Sequence, residues 1–399
     1  MLSIKIIRNL GIGALLILFA YSPIKQFYFG HGIRWLYILF FSVLLALFIT
    51  PFCRIIALRF NILDKPNWRK LHDNSTPLLG GLSIYLAFTI SLLFNGIFFI
   101  EMKVIFICAT SIFLMGLWDD IKPIPALIKL IIQILISLIV ILVGDIQLTF
   151  FFQTKIAPLI NIPLTVLWIV GLTNAMNFFD GIDGLAAIIS IIVALFLGII
   201  AFNTYQPGLG WFAVALGGAC LGFIPYNFRI GKSALIFLGD AGSTFLGFTL
   251  ASLAVLGKWS ISSNFVSLSA PILVFGVLIF DMIYVSLSRI KNRQNNNFLE
   301  LLTHANKDHL HHRLLFMGFA RKEAVFIISI LTTCLGVSAL IIMNQELIDA
   351  LLGLLQAVLI LGLIVSLMLK GRDKMPKEGD RRIWKRRRED WTDEKRSPK

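Results

Sequence analysis

The sequence predicts an all-α fold, a polytopic helical bundle embedded in a membrane. Of the 399 residues, 57% are hydrophobic and 15% are charged, which is too apolar for a soluble globular domain of this length. The apolar residues fall in runs of about 20, the length at which an α-helix crosses the hydrocarbon core of a bilayer. The stretches between these runs reach only about 20 to 30 residues, too few to support a separate soluble core.

Eleven apolar runs are predicted transmembrane helices. In chain order they cover residues 34–56, 80–99, 103–118, 124–143, 162–177, 185–203, 209–225, 241–257, 266–289, 321–343 and 348–369. A shorter run at 4–22 begins with basic residues, as a signal peptide does, but no clear cleavage site follows, so we interpret it as one retained extra helix. The chain then divides into an N-terminal segment (1–33), a membrane-embedded domain (34–370) and a basic tail (371–399) whose composition predicts disorder.

The lysines and arginines predict the orientation of the bundle. If residues 4–22 span the membrane, 31 of the 36 basic residues fall on one side and five on the other. Basic loops are retained in the cytoplasm, so the side with 31 is the cytoplasmic one. The five outer residues are Lys25, Arg34, Lys103, Lys155 and Lys258. This orientation places the acidic clusters, the histidine-rich loop and the tail on the cytoplasmic face.

The net charge of +14 raises the question of a nucleic-acid partner. Much of the excess lies just past the last span, at Arg381, Arg382 and the run Lys385-Arg386-Arg387-Arg388. Anionic lipid of the inner leaflet is the simpler partner for such a cluster, and we expect no nucleic acid. The four cysteines stand singly in apolar runs, which favours core positions over a disulfide framework or a zinc site.

Six aspartates lie at or near the ends of predicted spans, where carboxylates usually hold a cation, a proton or a substrate. They are Asp119, Asp120, Asp180, Asp183, Asp240 and Asp281. Lys129 follows the first pair in the next helix, so these three residues could bind a metal-bridged phosphate or an anionic substrate. The alternative is a solvated carboxylate pair at a helix end with a snorkelling lysine.

Two glycine-containing turns carry further polar residues. Asn174, Asn177, Asp180 and Asp183 recur every three residues, which on a helix forms a stripe suited to a hard cation or a sugar nucleotide. An Asx-rich turn would explain two of them better than four. Asp240 begins a span between two glycines, where free backbone N–H groups suit a phosphate oxygen. An N-cap role for this aspartate is the commoner alternative.

Residues 308–313, Asp-His-Leu-His-His-Arg, contain three of the six histidines. A transition-metal site and a cationic surface for a diphosphate both fit, and Arg313 favours the diphosphate because guanidinium binds phosphate bidentately. A solvated loop is the remaining alternative. Asp281 and Arg289, eight residues apart, predict an intramembrane ion pair with a structural role. Lys70 lies in a basic segment that either binds substrate or enforces orientation.

Taken in order, these segments resemble the polyprenyl-phosphate N-acetylhexosamine-1-phosphate transferases, from about residue 34 to residue 370. The form His309-Leu-His311-His312-Arg313-Leu is similar to the branch that transfers GlcNAc-1-phosphate. The resemblance implies that UDP-GlcNAc and undecaprenyl phosphate react with Mg²⁺, or Mn²⁺, to give GlcNAc-diphospho-undecaprenol and UMP. It implies a bacterial inner membrane as the location and is compatible with a homodimer.

The resemblance also implies roles for single residues. Asn177 and Asp240 would ligate the metal, Asp119 and Asp120 would lie near the acceptor phosphate, and Phe237 would stack near the uracil. The expected catalytic residues are Asp119, Asp120, Lys129 and Asp180. The expected substrate-binding residues are Lys70, Asn174, Asp183, Asn227, Phe237, His309, His311, His312 and Arg313. Asn227 begins a longer segment than many relatives have before the Gly-Asp turn.

Two alternatives accompany this interpretation. The donor sugar could be another UDP-N-acetylhexosamine, such as a FucNAc or QuiNAc nucleotide, because the contacts that read the sugar depend on geometry. The rival class is a membrane transporter of divalent cations or anionic solutes, which would also place carboxylates beside spans. A transporter predicts polar residues through the depth of the membrane, whereas here they concentrate at one face.

Overall fold

The computed structural model describes residues 2–64, 75–97, 99–148, 157–259, 264–291, 308–343 and 347–372. Lys70 and the basic tail beyond residue 372 lie outside these ranges. The described helices are α1 (Leu2–Ala20), α2 (Ser22–Gly30), α3 (Arg34–Arg59), α4 (Gly80–Asn95), α5 (Ile100–Ile121), α6 (Ala126–Gly144), α7 (Ala157–Phe179), α8 (Leu185–Asn203), α9 (Pro207–Asn227), α10 (Gly239–Leu256), α11 (Asn264–Val274), α12 (Gly276–Lys291), α13 (Leu310–Phe316), α14 (Arg321–Met343) and α15 (Leu347–Arg372). Two short strands, β1 (Leu63–Asp64) and β2 (Thr76–Pro77), pair antiparallel.

A helix covers every predicted span, which confirms the polytopic helical bundle. Within the described ranges, eight helices are long and apolar enough to cross a membrane, or up to ten if two bent pairs each count as one span. α4 is shorter than its predicted run because Gly96, with a φ of 61°, ends the helix in the left-handed conformation. The protein is therefore a multi-pass membrane protein.

Two helix pairs are sharply bent, and one of the bends interrupts a predicted span. α1 and α2 meet at 61°, and α11 and α12 meet at 75°. Proline lies near each break, at the start of α2 and at position 271 inside α11, and proline removes a backbone hydrogen bond from a helix interior. The predicted single helix 266–289 is therefore wrong, because it consists of two elements.

α10 lies in the middle of the bundle. Sixteen of its 18 residues are buried, so protein rather than lipid surrounds it. Glycines allow its neighbours to approach closely: a Cβ at Gly116 of α5 would lie 2.6 Å from Ala241 Cα, and one at Gly247 would lie 2.9 Å from Thr173 Cα of α7. Small residues at such crossings are typical of membrane helix packing.

Different polar groups collect at the two ends of α4. At its C-terminus, Lys25 Nζ donates to Phe94 O at 2.6 Å and Arg34 donates to Asn95 O. Cations at this position satisfy the last carbonyls of the helix. At its N-terminus, Gly80 N donates to Phe237 O, three residues before Asp240. The predicted outer residues Lys25 and Arg34 thus lie at the end of the bundle opposite the acidic cluster.

Candidate active site

A lysine bridges two carboxylates at the end of the bundle. Lys129 Nζ of α6 lies 2.7 Å from Asp119 Oδ2 of α5 and 3.1 Å from Asp240 Oδ2 of α10. Asp119 Oδ1 also accepts a hydrogen bond from Ile124 N at 2.6 Å, which closes the proline-containing turn between α5 and α6. About a third of the Asp240 side chain, 36%, is exposed, so the cluster remains accessible.

Asn177 lies beside Asp240, the residue with which the resemblance pairs it as a metal ligand. Its Nδ2 donates to Asp240 Oδ1 at 3.2 Å and to Ser243 Oγ at 2.9 Å. A flip of the amide would turn its oxygen toward the same point. Asn174, one turn earlier on α7, donates to Gln133 Oε1 of α6 at 2.6 Å. Only Asn174 and Asn177 of the predicted four-residue stripe lie on a helix, because α7 ends at Phe179 and places Asp180 and Asp183 in the turn that follows.

The N-terminus of α10 is occupied by carboxylates of the protein. Asp120 accepts hydrogen bonds from Asp240 N at 2.8 Å and Ala241 N at 3.1 Å, and Asp180 accepts one from the backbone of Gly239. Gly239 has a φ of 76°, and a Cβ there would lie 2.6 Å from Asp120 Oδ2. The expectation that these N–H groups are free for a phosphate oxygen is therefore wrong.

The same contacts define the surroundings of Asp120 and Asp180. Asp120 faces the α10 backbone rather than open space beside Asp119, which differs from its predicted place near the acceptor phosphate. Burial raises the pKa of Asp180 well above its usual range, and the negative charges of Asp240, Asp120 and Asp183 raise it further. A cation bound among these carboxylates would favour their ionised forms.

Asn227 and Asp183, two of the expected substrate-binding residues, form hydrogen bonds with the loop before α10. Asn227 is 3% exposed; its Oδ1 accepts from Gly184 N at 2.7 Å and its Nδ2 donates to Ile236 O at 3.0 Å. Asp183 Oδ2 accepts from Ala234 N at 3.2 Å. The structure therefore uses Asn227 to join two segments, in place of the predicted substrate contact.

Phe237 lies in the strand-like segment that leads into α10. Its N–H donates to Pro77 O at 2.8 Å, and its carbonyl accepts from Gly80 N at 2.9 Å. The side chain is only partly buried. These contacts place the ring three residues from Asp240, at the same end of the bundle as the carboxylates.

The histidine segment is anchored to α12. Asp281 Oδ2 lies 2.6 Å from His309 Nδ1, and its Oδ1 accepts from Leu310 N at 2.7 Å. Arg289 forms a bidentate ion pair with Asp308, with both distances 2.7 Å. The predicted pairing of Asp281 with Arg289 is therefore replaced by contacts of each residue with the start of α13.

The three histidines and Arg313 have different surroundings. His311 is 1% exposed, and a Cβ at Gly181 would lie 2.7 Å from its Nε2, which places the ring against the turn between Asp180 and Asp183. Burial lowers the pKa of His311 well below its usual range, and the neighbouring His312 and His309 lower it further. His312 is only partly buried, and its ring centroid lies 4.1 Å from that of His311.

Arg313 does not face the carboxylate cluster. It is 2% exposed, and its guanidinium donates to Asp308 O and to Met368 O of α15, both at 2.6 Å. The prediction that it closes over a diphosphate therefore differs from the structure, where it joins α13 to the last helix.

Ser243 was not among the predicted site residues, although its place one turn into α10 aligns it with Asn177.

The helical bundle and its cluster of lysine, carboxylates and amides define a membrane-embedded enzyme for anionic substrates. The profile of glycosyl transferase family 4 matches residues 102–258. A probable undecaprenyl-phosphate N-acetylglucosaminyl 1-phosphate transferase of Bacillus subtilis (strain 168) is 34% identical, over 75% of this chain and 83% of its own length.

Two other relatives extend the comparison. A decaprenyl-phosphate N-acetylglucosaminephosphotransferase of Mycolicibacterium smegmatis is 28% identical over 83% of this chain and 88% of its own. An undecaprenyl-phosphate alpha-N-acetylglucosaminyl 1-phosphate transferase of Escherichia coli O157:H7 is 26% identical over 71% and 77%. The chain belongs to the polyprenyl-phosphate N-acetylhexosamine-1-phosphate transferases of glycosyl transferase family 4, and it is a phospho-sugar transferase.

Proposed function

We propose that this chain transfers GlcNAc-1-phosphate from UDP-GlcNAc to undecaprenyl phosphate, releases UMP and so starts a cell-surface polysaccharide. The names of the relatives support the sugar and the lipid. The contact of Lys129 with both Asp119 and Asp240 carries the proposal, because it joins three helices into one charged cluster at the end of the bundle. The positive-inside rule supports a cytoplasmic site in a bacterial plasma membrane.

Mg²⁺ is the metal that we propose for this site, held by Asp240 and Asn177. Within the described part of the chain, no three His, Cys, Asp or Glu side chains are placed to hold a metal. Mg²⁺ needs fewer, because it retains water and binds through one or two carboxylates and the substrate phosphates. The grouping of Asp119, Asp120 and Asp240 at one end of the bundle supports a cation, because neighbouring carboxylates ionise together only when positive charge balances them. The bound ion would neutralise charge on the diphosphate.

The chemistry follows from the charges of the two substrates. A phosphate oxygen of the lipid attacks the sugar-linked phosphorus of the nucleotide sugar, the bond to the UMP oxygen breaks, and UMP leaves with the electron pair. Lys129 steadies the negative charge as it moves between phosphates. The lipid phosphate is already ionised, so we propose direct attack rather than a phospho-aspartate intermediate. A burst of UMP without the lipid would contradict direct attack.

The alternatives differ in their support. FucNAc and QuiNAc nucleotides stay as alternative donors, while the matching relatives named above carry N-acetylglucosamine in their names. No observation favours the transporter. Binding of anionic lipid by the tail is a separate proposal, supported by the run of basic residues at 385–388.

The test is an assay of the purified protein with undecaprenyl phosphate, Mg²⁺ and a panel of UDP-sugars. We expect UMP release with UDP-GlcNAc and loss of that release in Asp240→Asn. Asp145→Asn is the matched control, because Asp145 is exposed at the opposite end of α6. Release of UDP instead of UMP would mean transfer of the sugar alone and would overturn the proposal.

A further inference from the structure

A buried carboxylate of α12 lies outside the charged cluster described above. Asp281 has 0% exposure, and both of its oxygens are used on the histidine segment: Oδ2 on His309 Nδ1 and Oδ1 on Leu310 N. Ionisable side chains within membrane spans are costly and mark functional sites by default. The two contacts therefore need an explanation beyond packing.

The contact with Asp281 determines which nitrogen of His309 is available. An ionised carboxylate only accepts hydrogen bonds, so Nδ1 must donate and Nε2 is left for another group. Nε2 is buried, and it has no hydrogen-bond partner among the described residues. Buried polar atoms in native proteins are nearly always paired. Nε2 is therefore available to a group that the described residues do not supply.

The position of the His309 ring favours a substrate phosphate as the group that Nε2 meets. His309 stacks on Phe178, with centroids 4.9 Å apart and an interplanar angle of 24°, and Phe178 directly follows Asn177. The ring of His311 lies parallel to it at 6.2 Å and contacts the turn at Gly181. Both imidazoles thus line the segment that supplies Asn177 and Asp180, where the phosphates of the proposed substrates would lie.

Holding α13 in place would not require a charged residue at position 281. A serine, threonine or asparagine caps a helix N-terminus about as well as aspartate. Other contacts already anchor the segment, because Asp308 pairs with Arg289 and Arg313 bonds to Met368 O. The carboxylate adds a fixed orientation of the His309 ring, with Nδ1 protonated, and a negative charge beside it.

We propose that Asp281 is a positioning residue of the transferase, which acts through His309. It holds the ring so that Nε2 faces a phosphate oxygen of the substrate. A hydrogen bond from Nε2 to that oxygen requires a proton on both ring nitrogens, and the carboxylate beside Nδ1 favours that form. The arrangement matches the carboxylate–histidine pairs that orient imidazoles in other active sites. This proposal rests on the proposed function.

Three single variants and one double variant of the full-length protein test it by kcat/KM for UDP-GlcNAc. His309→Asn keeps a donor near Nδ1 but removes Nε2, whereas His309→Gln keeps a donor near Nε2. We expect Asp281→Asn and His309→Asn each to lose about 10- to 100-fold, the range for carboxylate partners of metal-ligating histidines. His309→Gln recovers part of that loss, and the double variant Asp281→Asn/His309→Asn is no worse than His309→Asn.

Asp308→Asn is the matched control, since it breaks the ion pair with Arg289 in the same buried segment. We expect it to lower the melting temperature. We also expect its loss of kcat/KM to multiply with that of His309→Asn when the two changes are combined. Wild-type kcat/KM in either His309→Asn or Asp281→Asn would overturn the proposal, as would multiplying losses in the Asp281 double variant. A wild-type protein that releases no UMP would refute the proposed function instead. Calorimetric titration of the same variants measures their affinity for UDP-GlcNAc and so tests the role of Asp281 in the absence of turnover.

Discussion

At the scale of single residues, neighbours in the sequence have different tasks. Asp119 and Asp120 are adjacent, yet Asp119 contacts Lys129 while Asp120 contacts the backbone of α10. The sequence predicted that both lie near one substrate, because a run of two carboxylates has no directional information. Which of them faces the cleft depends on the rotation of α5, and that rotation is set by its packing against α10.

Lys129 is the residue whose loss should affect transfer most directly. We expect Lys129→Met to lower kcat about 100-fold, since a preorganised cation for developing charge is typically worth that much. Lys122→Met is the control, because Lys122 is exposed a few residues earlier. The measurement is UMP release at saturating substrate. Near-wild-type kcat in Lys129→Met would exclude this lysine from the reaction.

Asp120 should behave as a helix cap. Asp120→Ala removes the acceptor for two N–H groups, and we expect the free energy of unfolding to fall by about 1 to 2 kcal/mol. Asp120→Ser should recover part of it. Thermal unfolding in detergent measures the change. An unchanged melting temperature with a raised KM for undecaprenyl phosphate would instead favour the predicted phosphate contact.

His311 gives the fold a dependence on pH. Its pKa is lowered, first by burial, below the ordinary value of 6.5, so the unfolded chain binds more protons than the folded one just below that pH. Stability should therefore be full above about pH 6.5 and fall as the pH drops toward 5. His311→Gln should flatten this slope in thermal unfolding. An equal slope in the variant would show that other groups cause it.

At the scale of elements, close glycine contacts determine how the helices surround α10. A Cβ at Gly116 would lie 2.6 Å from Ala241 Cα and 2.7 Å from Asp240 O, and backbone atoms cannot rotate away. The sequence identified these spans by length and hydropathy but not their neighbours, because lipid-facing and protein-facing residues are both apolar. The break between α11 and α12 escaped prediction for the same reason, although Pro271 was a signal for it.

Gly116→Ala should therefore disturb the site through packing. We expect it to destabilise the protein by about 1 to 3 kcal/mol, as overpacking does, and to lower transfer because Asp240 shifts. Gly171→Ala on α7 is the control, since a Cβ there meets nothing within 4 Å. Melting temperature and UMP release are measured on both. Equal behaviour of the two variants would contradict the close approach of α5 and α10.

At the scale of the whole molecule, the apolar runs predicted most of the architecture. Run length follows from bilayer thickness, and this is why every predicted span contains a helix. The candidate residues were also visible, because carboxylates in or beside apolar runs are costly and so mark functional sites. Their hydrogen-bond partners were not, since Asp281 meets His309 and Arg313 meets α15 only through tertiary packing.

The tail provides a prediction at this scale. A chain that ends at Arg372 keeps all of α15 and its contact with Arg313. We expect its UMP release in detergent to stay within about twofold of wild type, while its binding to vesicles rich in anionic lipid weakens. Loss of detergent activity on truncation would mean that the tail contributes to the reaction itself.

The enclosure of α10 has a consequence for the membranes in which the enzyme can work. Hydrophobic mismatch tilts or stretches helices that contact acyl chains, but 16 of the 18 residues of α10 are covered by other helices. A thicker or thinner bilayer therefore acts on the peripheral helices first. The distance between Asp240, in the first turn of α10, and Asn177 of α7 should therefore stay the same in lipids of different chain length.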